Sequence, residues 1–384
     1  MMESSPPAAS LPGLGSLLVV RLSAMGDIIH TMPAAAALRQ AFPRATIGWL
    51  IEERWVELLG TLRYPRSGRR SPERPLVDRI HTVNLAEWRR SLFSLNTVQQ
   101  IAVALSELRG VQYDVAIDFQ GAVRSALLAR WSGAPIVYGD AQPRENAASM
   151  FYTRQVETTG RHVVEQALDL ARAVIVGTGR VGTGLGPVQA GRSPAPHPDR
   201  KQPEPNIEFP LDPDAEKKIT TAAAGMPHFA ILNPGAGWGA KQWPAERYGA
   251  IAKELAQDGV RSLVNFGPGE EALATAVEAA SQGTSRKVSC TIAELISLTR
   301  RARLLIAGDT GPMHLAAALQ VPVVAIFGPT NPARNGPFGT RSMVLRSASS
   351  LTDHSRHREP EQGLLEITAE EVAAAARKLL REAT

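Results

Sequence analysis

Three glycine-bearing segments carry the residues of this 384-residue chain that are best suited to chemistry. The first, Ser23–Asp27, directly follows the apolar run Leu17–Leu22 and holds one glycine and one carboxylate. A glycine turn between a strand and a helix brings backbone N–H groups close to a ligand at the positive end of the helix dipole. Asp27 is therefore either a general base that enters a ligand cleft or an ordinary helix N-cap, and the local sequence leaves both open.

The second segment, Asn233–Pro244, follows the apolar run Phe229–Leu232 and combines several glycines with one lysine. Such a loop wraps a diphosphate with backbone N–H groups, and Lys241 adds a positive point charge. A flexible turn is the alternative interpretation. A lysine between two tryptophans, Trp238 and Trp243, is unusual for a turn, so diphosphate binding is favoured.

The third segment, Gly308–His314, follows the apolar run Leu304–Ala307 and opens a helix. Free N–H groups at Thr310 and Gly311 would face an anion there, with the histidine one turn inside. Either polar residue alone has a structural explanation, as a cap or a core histidine, but together they indicate a pyrophosphate site. A further loop, Gly267–Glu271, offers a carboxylate to ribose hydroxyls.

Short apolar runs alternate with Ala/Leu-rich helical patterns, which predicts parallel sheets covered on both faces by helices. The alternation stops over residues 181–206, a Gly-, Pro-, Arg- and Gln-rich stretch typical of a linker, and then restarts. Two doubly wound lobes of this kind place a ligand cleft between the carboxyl ends of two sheets. Further predicted strands are Thr46–Ile51, Asp114–Phe119, Pro135–Tyr138, Ser262–Phe266 and Val321–Phe327, and predicted helices include Ala245–Gln257, Glu270–Ala280, Ala293–Arg300, Pro312–Leu319 and Ala369–Arg381.

The amino-acid composition limits the classes of binding partner that can be expected. The net charge of +5 and pI near 9.5 favour an anionic partner, whereas 5% aromatic residues argue against a stacking platform for single-stranded nucleic acid. The single cysteine, Cys290, forms no internal disulfide, which favours a reducing cytoplasm and a buried, inert thiol. Residues 1–15 lack the features of a signal peptide, and no apolar run approaches the ~20 residues of a membrane span. Any membrane contact is expected to be peripheral.

An arginine-rich stretch, Leu62–Pro75, interrupts the first half of the chain. Its Pro, Gly and Ser content favours a solvated loop. The alternative is an electropositive surface over an anionic acceptor, because guanidinium groups suit phosphates and carboxylates. The arginines are Arg63, Arg66, Arg69, Arg70 and Arg74.

Two patterns imitate metal sites. Asp212-Pro213-Asp214 has the Asp-x-Asp form, but an Asp cap followed by Pro in the first helical turn explains it better. His354 and His357 have a ligand-like spacing in a polar loop without cysteines and are discounted. No metal and no cofactor is predicted.

Taken together, the chain resembles the bacterial heptosyltransferases of glycosyltransferase family nine over nearly its whole length. The exceptions are the tail, the arginine-rich stretch and the linker, and Ser349–Gly363 lacks the cysteines common in the family at that place. These departures concern the acceptor more than the fold. The resemblance is carried by Leu22–Asp27, Asp118–Gly121, Arg124, Arg144–Glu145, Phe151–Tyr152, Asn233–Pro244 and Asp309–His314.

The resemblance implies an α/β protein of GT-B type, with two doubly wound Rossmann-like lobes facing a central cleft. The expected organisation is a tail over 1–15, an acceptor lobe over 16–180, the linker over 181–206, a donor lobe over 207–366 and a final helix over 367–384 that packs back towards the first lobe. It further implies inverting, metal-independent transfer of heptose from ADP-heptose to the Kdo–lipid A inner core, at the cytoplasmic face of the inner membrane.

The same resemblance assigns roles to individual residues. Asp27 becomes the general base. The implied donor contacts are Gly237, Trp238, Lys241, Glu271, Asp309, Thr310, Gly311 and His314. The implied acceptor contacts are Ser23, Met25, Gly26, Arg63, Arg66, Arg69, Arg70, Gln120, Arg124 and Arg144.

Other functions remain as alternatives. A nucleotide-sugar epimerase of the same two-lobed shape would act on donor alone, a family-nine transferase could use another sugar or acceptor, and a non-enzymatic sensor would bind the donor without releasing ADP. A nicotinamide dehydrogenase is disfavoured because neither lobe carries the GxGxxG fingerprint. Nucleic-acid binding is disfavoured because the basic residues cluster in an irregular stretch.

Overall fold

The chain forms two six-stranded sheets in which every strand pair is parallel, as the computed structural model shows over residues 14–91, 94–179, 207–353 and 355–382. The strand orders are β3-β2-β1-β4-β5-β6 and β12-β11-β10-β7-β8-β9. Numbered from the first strand of each sheet, both follow the same doubly wound order, 3-2-1-4-5-6. The predicted fold class is confirmed.

The strands and helices alternate along the chain. The strands are β1 Ser16–Val20, β2 Thr46–Glu52, β3 Arg79–Val83, β4 Val115–Asp118, β5 Ile136–Asp140, β6 Arg154–Val156, β7 Phe229–Asn233, β8 Arg261–Phe266, β9 Ser285–Ser289, β10 Leu304–Gly308, β11 Val323–Phe327 and β12 Ser342–Arg346. The helices are α1 Met25–Ala41, α2 Leu85–Arg90, α3 Leu95–Gly110, α4 Val123–Trp131, α5 Val163–Gly179, α6 Pro213–Ala222, α7 Ala245–Gln257, α8 Glu271–Ala280, α9 Ile292–Arg301, α10 Gly311–Ala318, α11 Pro332–Asn335, α12 Gln362–Glu366 and α13 Ala369–Arg381.

The central strands are buried on both faces, which explains why they are continuous apolar runs rather than alternating patterns. All five residues of β1, β7, β10 and β11 are buried. The outer strands β9 and β12 are only partly buried and carry polar residues, so no apolar run marked them in the sequence. The strands that the sequence predicted are therefore the inner ones.

The two lobes share a continuous apolar core. The cluster around α1 and β1 includes Leu295, Ile296 and Leu315, which belong to α9 and α10 of the second lobe. Helix α1 also packs directly on α10. The lobes therefore meet through helix packing and not only through the chain that connects them.

The final helix packs on the second lobe, so the expectation that it packs back towards the first lobe is wrong. Its buried side chains Val372, Ala375, Ala376 and Leu379 join the core cluster of the second sheet, and α13 lies against α7. These positions form one apolar face at helical spacing, and that face is satisfied by its own lobe. Residues 1–13 of the expected tail, residue 180 and the whole expected linker, 181–206, lie outside the described residues.

Two smaller predictions have structural outcomes. Burial raises the pKa of the Cys290 thiol to about 12, in agreement with the inert thiol expected from sequence. Among the helices of the described ranges, none combines the length and apolar character needed to cross a bilayer.

A buried histidine in the first lobe makes its stability sensitive to acid. His81 on β3 shares a hydrogen bond of 2.9 Å with the Tyr113 hydroxyl, and burial together with the charge of Arg79 lowers its pKa to about 4. An unfolded histidine titrates near 6.5, so between pH 6.5 and 4 the unfolded chain binds the extra proton and the folded state loses stability as pH falls. Above pH 6.5 the full contribution is present.

We expect His81→Gln to weaken this acid sensitivity, because glutamine keeps a hydrogen-bond partner for Tyr113 and does not titrate. On lowering the pH from 7 to 4, the parent should lose up to about 3 kcal/mol more unfolding free energy than the variant. Urea unfolding at several pH values measures this difference, and the other buried histidines cancel in the comparison. Parallel curves for the two proteins would contradict the assignment.

Candidate active site at the junction of the two lobes

The three glycine-bearing segments all lie at the places where strand order reverses. In the first sheet, neighbours β1 and β4 are followed by Ser23–Asp27 and by the loop of Gln120. In the second, neighbours β7 and β10 are followed by the glycine-rich loop and by Asp309. Loops that leave two adjacent parallel strands in opposite directions open a crevice at the carboxyl edge, where ligands of such folds bind.

The first turns of α1 and α10 touch each other across the lobe junction. A β-carbon on Gly26 would stand 2.5 Å from the imidazole Cδ2 of His314, and one on Gly311 would stand 2.6 Å from the sulfur of Met25. Neither helix has a side-chain N-cap: Ala24 has no acceptor, and the Thr310 hydroxyl bonds instead to the Gly308 carbonyl. Two helix N-termini with uncapped N–H groups therefore converge on one place, which favours an anion there.

A buried ion pair lies beside the N-terminus of α10. Lys241 Nζ lies 2.5 Å from Asp309 Oδ2, and both side chains are about nine-tenths buried. The His314 ring lies with Nε2 3.3 Å from the other Asp309 oxygen. Burial by itself would raise the pKa of Asp309, but the hydrogen bond from His314 and the charge of Lys241 outweigh it and hold the pKa well below its ordinary value. Asp309 is therefore a carboxylate that holds both groups in place.

The glycine-rich loop is held from outside by a segment that sequence reasoning passed over. Ala240 donates to the His357 carbonyl at 3.1 Å, and Glu361 donates to the Ala240 carbonyl at 3.2 Å. Lys241 Nζ lies 4.2 Å from the Trp238 ring centroid, and the Arg356 guanidinium lies 5.8 Å from the same centroid. The loop thus presents one paired lysine on an aromatic face, with a second cation nearby.

Asp27 lies at the third position of α1, so the alternative that it is the N-cap is wrong. The N-cap is Ala24, whose N–H donates to Asp27 Oδ2 at 3.3 Å. The other oxygen is held at 2.8 Å by Arg21, which also donates to the Phe119 carbonyl at the end of β4. The carboxylate remains 41% exposed. It is oriented by Arg21 and Ala24 and partly exposed, as a candidate base needs to be in order to reach a substrate.

Gln120 holds the Asp27 loop. Its Oε1 accepts from the N–H of Leu22 at 2.8 Å and from that of Ser23 at 3.3 Å, and the side chain is buried. Its contacts are thus with the chain itself. Its role in the described structure is to position the loop.

Two predicted acceptor arginines, Arg124 and Arg144, lie at the same edge of the first sheet as Asp27. The Glu145 N–H donates to the Gly121 carbonyl at 2.9 Å, and its carboxylate accepts from Val123 at 2.8 Å. These bonds tie together the loops after β4 and β5 that carry the two arginines. Both side chains are exposed.

The arginine-rich stretch is not gathered at this edge, because Arg66 reaches Glu53 after the carboxyl end of β2 whereas Arg70 lies at the amino end of the same strand. Arg70 pairs with Asp78, which also accepts from the N–H of Ile47 at the amino end of β2, on the edge opposite Asp27. Arg66 pairs with Glu53, and Arg63 pairs with Asp214 of α6. Most of this charge is therefore used within the chain.

Arg74 shows most clearly that the arginine-rich stretch is ordered around a buried side chain and is not a loose solvated loop. It is 1% exposed, and its guanidinium donates to the backbone carbonyls of Pro65, Gly68, Arg69 and Val77. The interpretation as a loose solvated loop is wrong at this position, because a buried cation with four acceptors organises the loop around itself. An acceptor role for Arg63, Arg66, Arg69 and Arg70 stays a prediction without support from their placement.

The sequence predicted Glu271 as the carboxylate beside the nucleotide, but its neighbour Glu270 holds the place next to the glycine-rich loop. The Glu271 carboxylate pairs with Lys287 at 3.1 Å on the surface and is 70% exposed. Glu270 lies against Gly235 of the glycine-rich loop and accepts from the Gly267 N–H at 2.8 Å. The carboxylate beside the predicted nucleotide loop is therefore Glu270, the residue that precedes α8.

The two patterns that imitate metal sites have structural explanations. Asp212 is the N-cap of α6 and accepts from Asp214 and Ala215, each at 3.0 Å, as predicted. His357 pairs with Asp353 at 3.1 Å, and His354 lies outside the described residues. Within the described ranges, no group of three or more His, Cys, Asp or Glu side chains is arranged to hold a metal ion.

Three functional contacts were missed in the sequence, and each left a signal. Arg21 stands two residues before the first segment, directly after β1. Glu270 stands one residue before the predicted ribose contact. His30 follows Gly26 by four residues, so it lies on the same face of α1, and its Nε2 is 2.9 Å from Nδ1 of His314.

Comparison with known proteins agrees with this geometry. The family model described as glycosyltransferase family 9 (heptosyltransferase) matches residues 102–364. The chain is 28% identical over 335 residues to a lipopolysaccharide heptosyltransferase 1 of Pseudomonas aeruginosa, covering 86% of this chain and 83% of that protein. It is 26% identical to the Escherichia coli K12 protein of the same name, covering 86% and 93%.

Solved structures show the same fold. One is the Escherichia coli heptosyltransferase WaaC with ADP-2-deoxy-2-fluoro heptose, with a TM-score of 0.70, 24% identity and coverage of 94% of this chain and 99% of that chain. Another is a family 9 glycosyl transferase from Veillonella parvula, with a TM-score of 0.73, 21% identity and coverage of 96% and 98%.

Proposed function

The chain belongs to glycosyltransferase family 9, the heptosyltransferase family, and from this membership we propose that it transfers heptose from ADP-heptose to the Kdo–lipid A inner core of lipopolysaccharide. The donor is inferred from the ADP-heptose analogue in the WaaC structure. The acceptor is inferred from the names of the lipopolysaccharide enzymes that the chain resembles. The observation that carries the proposal is the contact between the first turn of α1, which holds Asp27, and the first turn of α10, beside which lies the pair of Asp309 and Lys241.

We propose a single displacement with inversion. An acceptor hydroxyl oxygen attacks the anomeric carbon, its proton passes to the Asp27 carboxylate, and the bond from the anomeric carbon to the diphosphate oxygen breaks to release ADP. Lys241 and the N–H groups of Thr310 and Gly311 stabilise the charge that develops on the leaving diphosphate. The base and the cations stand on different lobes, so the reaction requires both in contact.

Positive charge for the diphosphate comes from the chain itself, which is the reason to propose that no metal takes part. Lys241 is buried beside the crevice, Arg356 lies near the same tryptophan, and two helix N-termini point to the junction. Asp212 and Asp214, the pattern that would otherwise suggest a metal site, belong to the start of α6. Backbone N–H groups and a lysine are sufficient in kind to hold an anion.

We also propose that the first lobe meets the membrane surface with the rim around its carboxyl edge. Leu95 and Val98 at the start of α3 are 82% and 53% exposed, and Met150 in the loop after β5 is 81% exposed. Arg89 and Arg90 at the end of α2, and Arg144 after β5, are exposed as well. Apolar side chains flanked by cations suit an anionic lipid surface, from which a glycolipid presents its sugar.

A donor screen tests the proposal. ADP-heptose should raise the melting temperature more than UDP- or GDP-sugars, with a stabilisation of about 2.7 kcal/mol at a hundredfold excess over the dissociation constant. ADP should be released only when a Kdo–lipid A acceptor is present, and excess EDTA should leave the rate unchanged. Sugar turnover with donor alone would favour an epimerase. Binding without ADP release would favour a sensor, and a loss in EDTA that magnesium restores would exclude the metal-free mechanism.

The Asp27→Asn variant tests the base. Asparagine keeps the size and accepts the Ala24 N–H, so the fold and donor affinity should be retained, while turnover falls by about 10²–10⁴. Asp214→Asn is the matched control, since Asp214 is also a first-turn aspartate paired with an arginine. Melting temperature, donor affinity and turnover are compared for both. A fully active Asp27→Asn enzyme would remove the base assignment and leave the donor site untouched.

The position of the exposed arginines predicts which of them collect the acceptor. Replacing Arg124 and Arg144 together with serine should raise the acceptor KM about three- to tenfold and weaken its salt dependence, with donor affinity unchanged. The double replacement of Arg63 and Arg69, on the separate arginine-rich stretch, is the control. A larger effect of the control pair would restore that stretch as the acceptor surface.

A further inference from the structure

Four side chains form a continuous hydrogen-bonded series across the lobe junction. Lys241 Nζ lies 2.5 Å from Asp309 Oδ2, Asp309 Oδ1 lies 3.3 Å from His314 Nε2, and His314 Nδ1 lies 2.9 Å from His30 Nε2. The first three belong to the second lobe. His30, on α1, belongs to the first.

His30 is placed for this contact and for little else. It is 7% exposed, and its ring packs edge-on against His162 with centroids 5.5 Å apart. Its Nδ1 is buried and has no hydrogen-bond partner in the part of the chain that the structure describes. The bond to His314 is therefore the one polar contact that this imidazole makes within the described residues.

Asp309 and His30 decide which imidazole nitrogen atoms of this series carry a hydrogen. Asp309 is a carboxylate and only accepts, so His314 carries its hydrogen on Nε2. In a neutral His314 ring, Nδ1 is then an acceptor, and His30 Nε2–H donates to it. Burial is the main cause that lowers the pKa of His30 well below its ordinary value, so His30 is neutral at neutral pH. The hydrogen bond that one imidazole nitrogen makes sets the role of the other.

We propose that His30 is a positioning residue for the transfer reaction: from the first lobe it fixes the ring and tautomer of His314, and through Asp309 the place of Lys241. The inference rests on the proposed function, since it assigns Lys241 to the leaving diphosphate. His30 belongs to the lobe of the base Asp27, three residues away on the same helix. Contact between the lobes thus completes the donor site at the same moment that it delivers the base.

Two variants of similar polarity and different reach test this role. The amide nitrogen of Gln extends about as far as imidazole Nε2, whereas that of Asn reaches only the position of Nδ1. We expect His30→Asn to lower kcat about tenfold, the effect of one lost buried hydrogen bond, with the donor dissociation constant changed less than about twofold. His30→Gln should retain most of the parent kcat.

His81→Asn is the matched control. His81 is equally buried, makes a hydrogen bond of the same 2.9 Å to Tyr113 and lies away from the junction. The His81→Asn variant should have a lower melting temperature than the parent and an unchanged kcat. Calorimetry with ADP measures donor-site affinity, and ADP release with acceptor measures kcat.

The outcomes separate the inference from the function it rests on. A parent protein that releases no ADP would overturn the proposed function itself. An active parent with His30→Asn as fast as His81→Asn would overturn the positioning role. A folded His30→Gln variant with a kcat as low as that of His30→Asn would also overturn the positioning role, because the effect would then not depend on the hydrogen bond.

Discussion

The burial of one carboxylate, Asp309, constrains the whole candidate site. A charge that is 8% exposed at the end of β10 is tolerated only if cations or donors surround it, and here Lys241 and His314 do so. The lysine comes from the loop after β7 and the histidine from the first turn of α10, so satisfying this charge fixes both loops relative to one another. Beside them are the uncapped N–H groups at the start of α10, which suit a diphosphate.

The second constraint is the close approach of α1 and α10. Glycine at positions 26 and 311 lets the two first turns pack against His314 and Met25 without a β-carbon between them. This contact is backed by a core that includes residues of both lobes. Asp27 lies on α1 and His314 on α10, and the pair of Asp309 and Lys241 adjoins His314, so the proposed base and the proposed donor-site lysine are coupled through two helices that meet directly.

Outside the site, some arginine side chains form internal contacts and others are exposed to solvent. Arg74 donates to backbone carbonyls, and Arg63, Arg66 and Arg70 pair with carboxylates, so part of the charge of the arginine-rich stretch is neutralised within the chain. Arg124 and Arg144 are fewer, yet they are exposed at the edge where Asp27 opens. The local density of basic residues in a sequence is thus a poor measure of electrostatic potential at a site, because partners distant in sequence cancel it.

The sequence alone is enough to predict the inner strands, the first helix, most helices of the second lobe and the three segments that meet at the junction, because buried parallel strands are continuous apolar runs and glycine-bearing turns follow them in order. It also identified the helix start at Asp212 and the inert Cys290. The tertiary structure alone decided what each polar side chain touches. It placed Glu270 rather than Glu271 beside the glycine-rich loop, paired Asp27 with Arg21, buried Arg74, and kept the final helix on its own lobe. Those outcomes depend on distances between residues far apart in the chain, such as the 284 positions that separate His30 from His314, and no local pattern encodes such a distance.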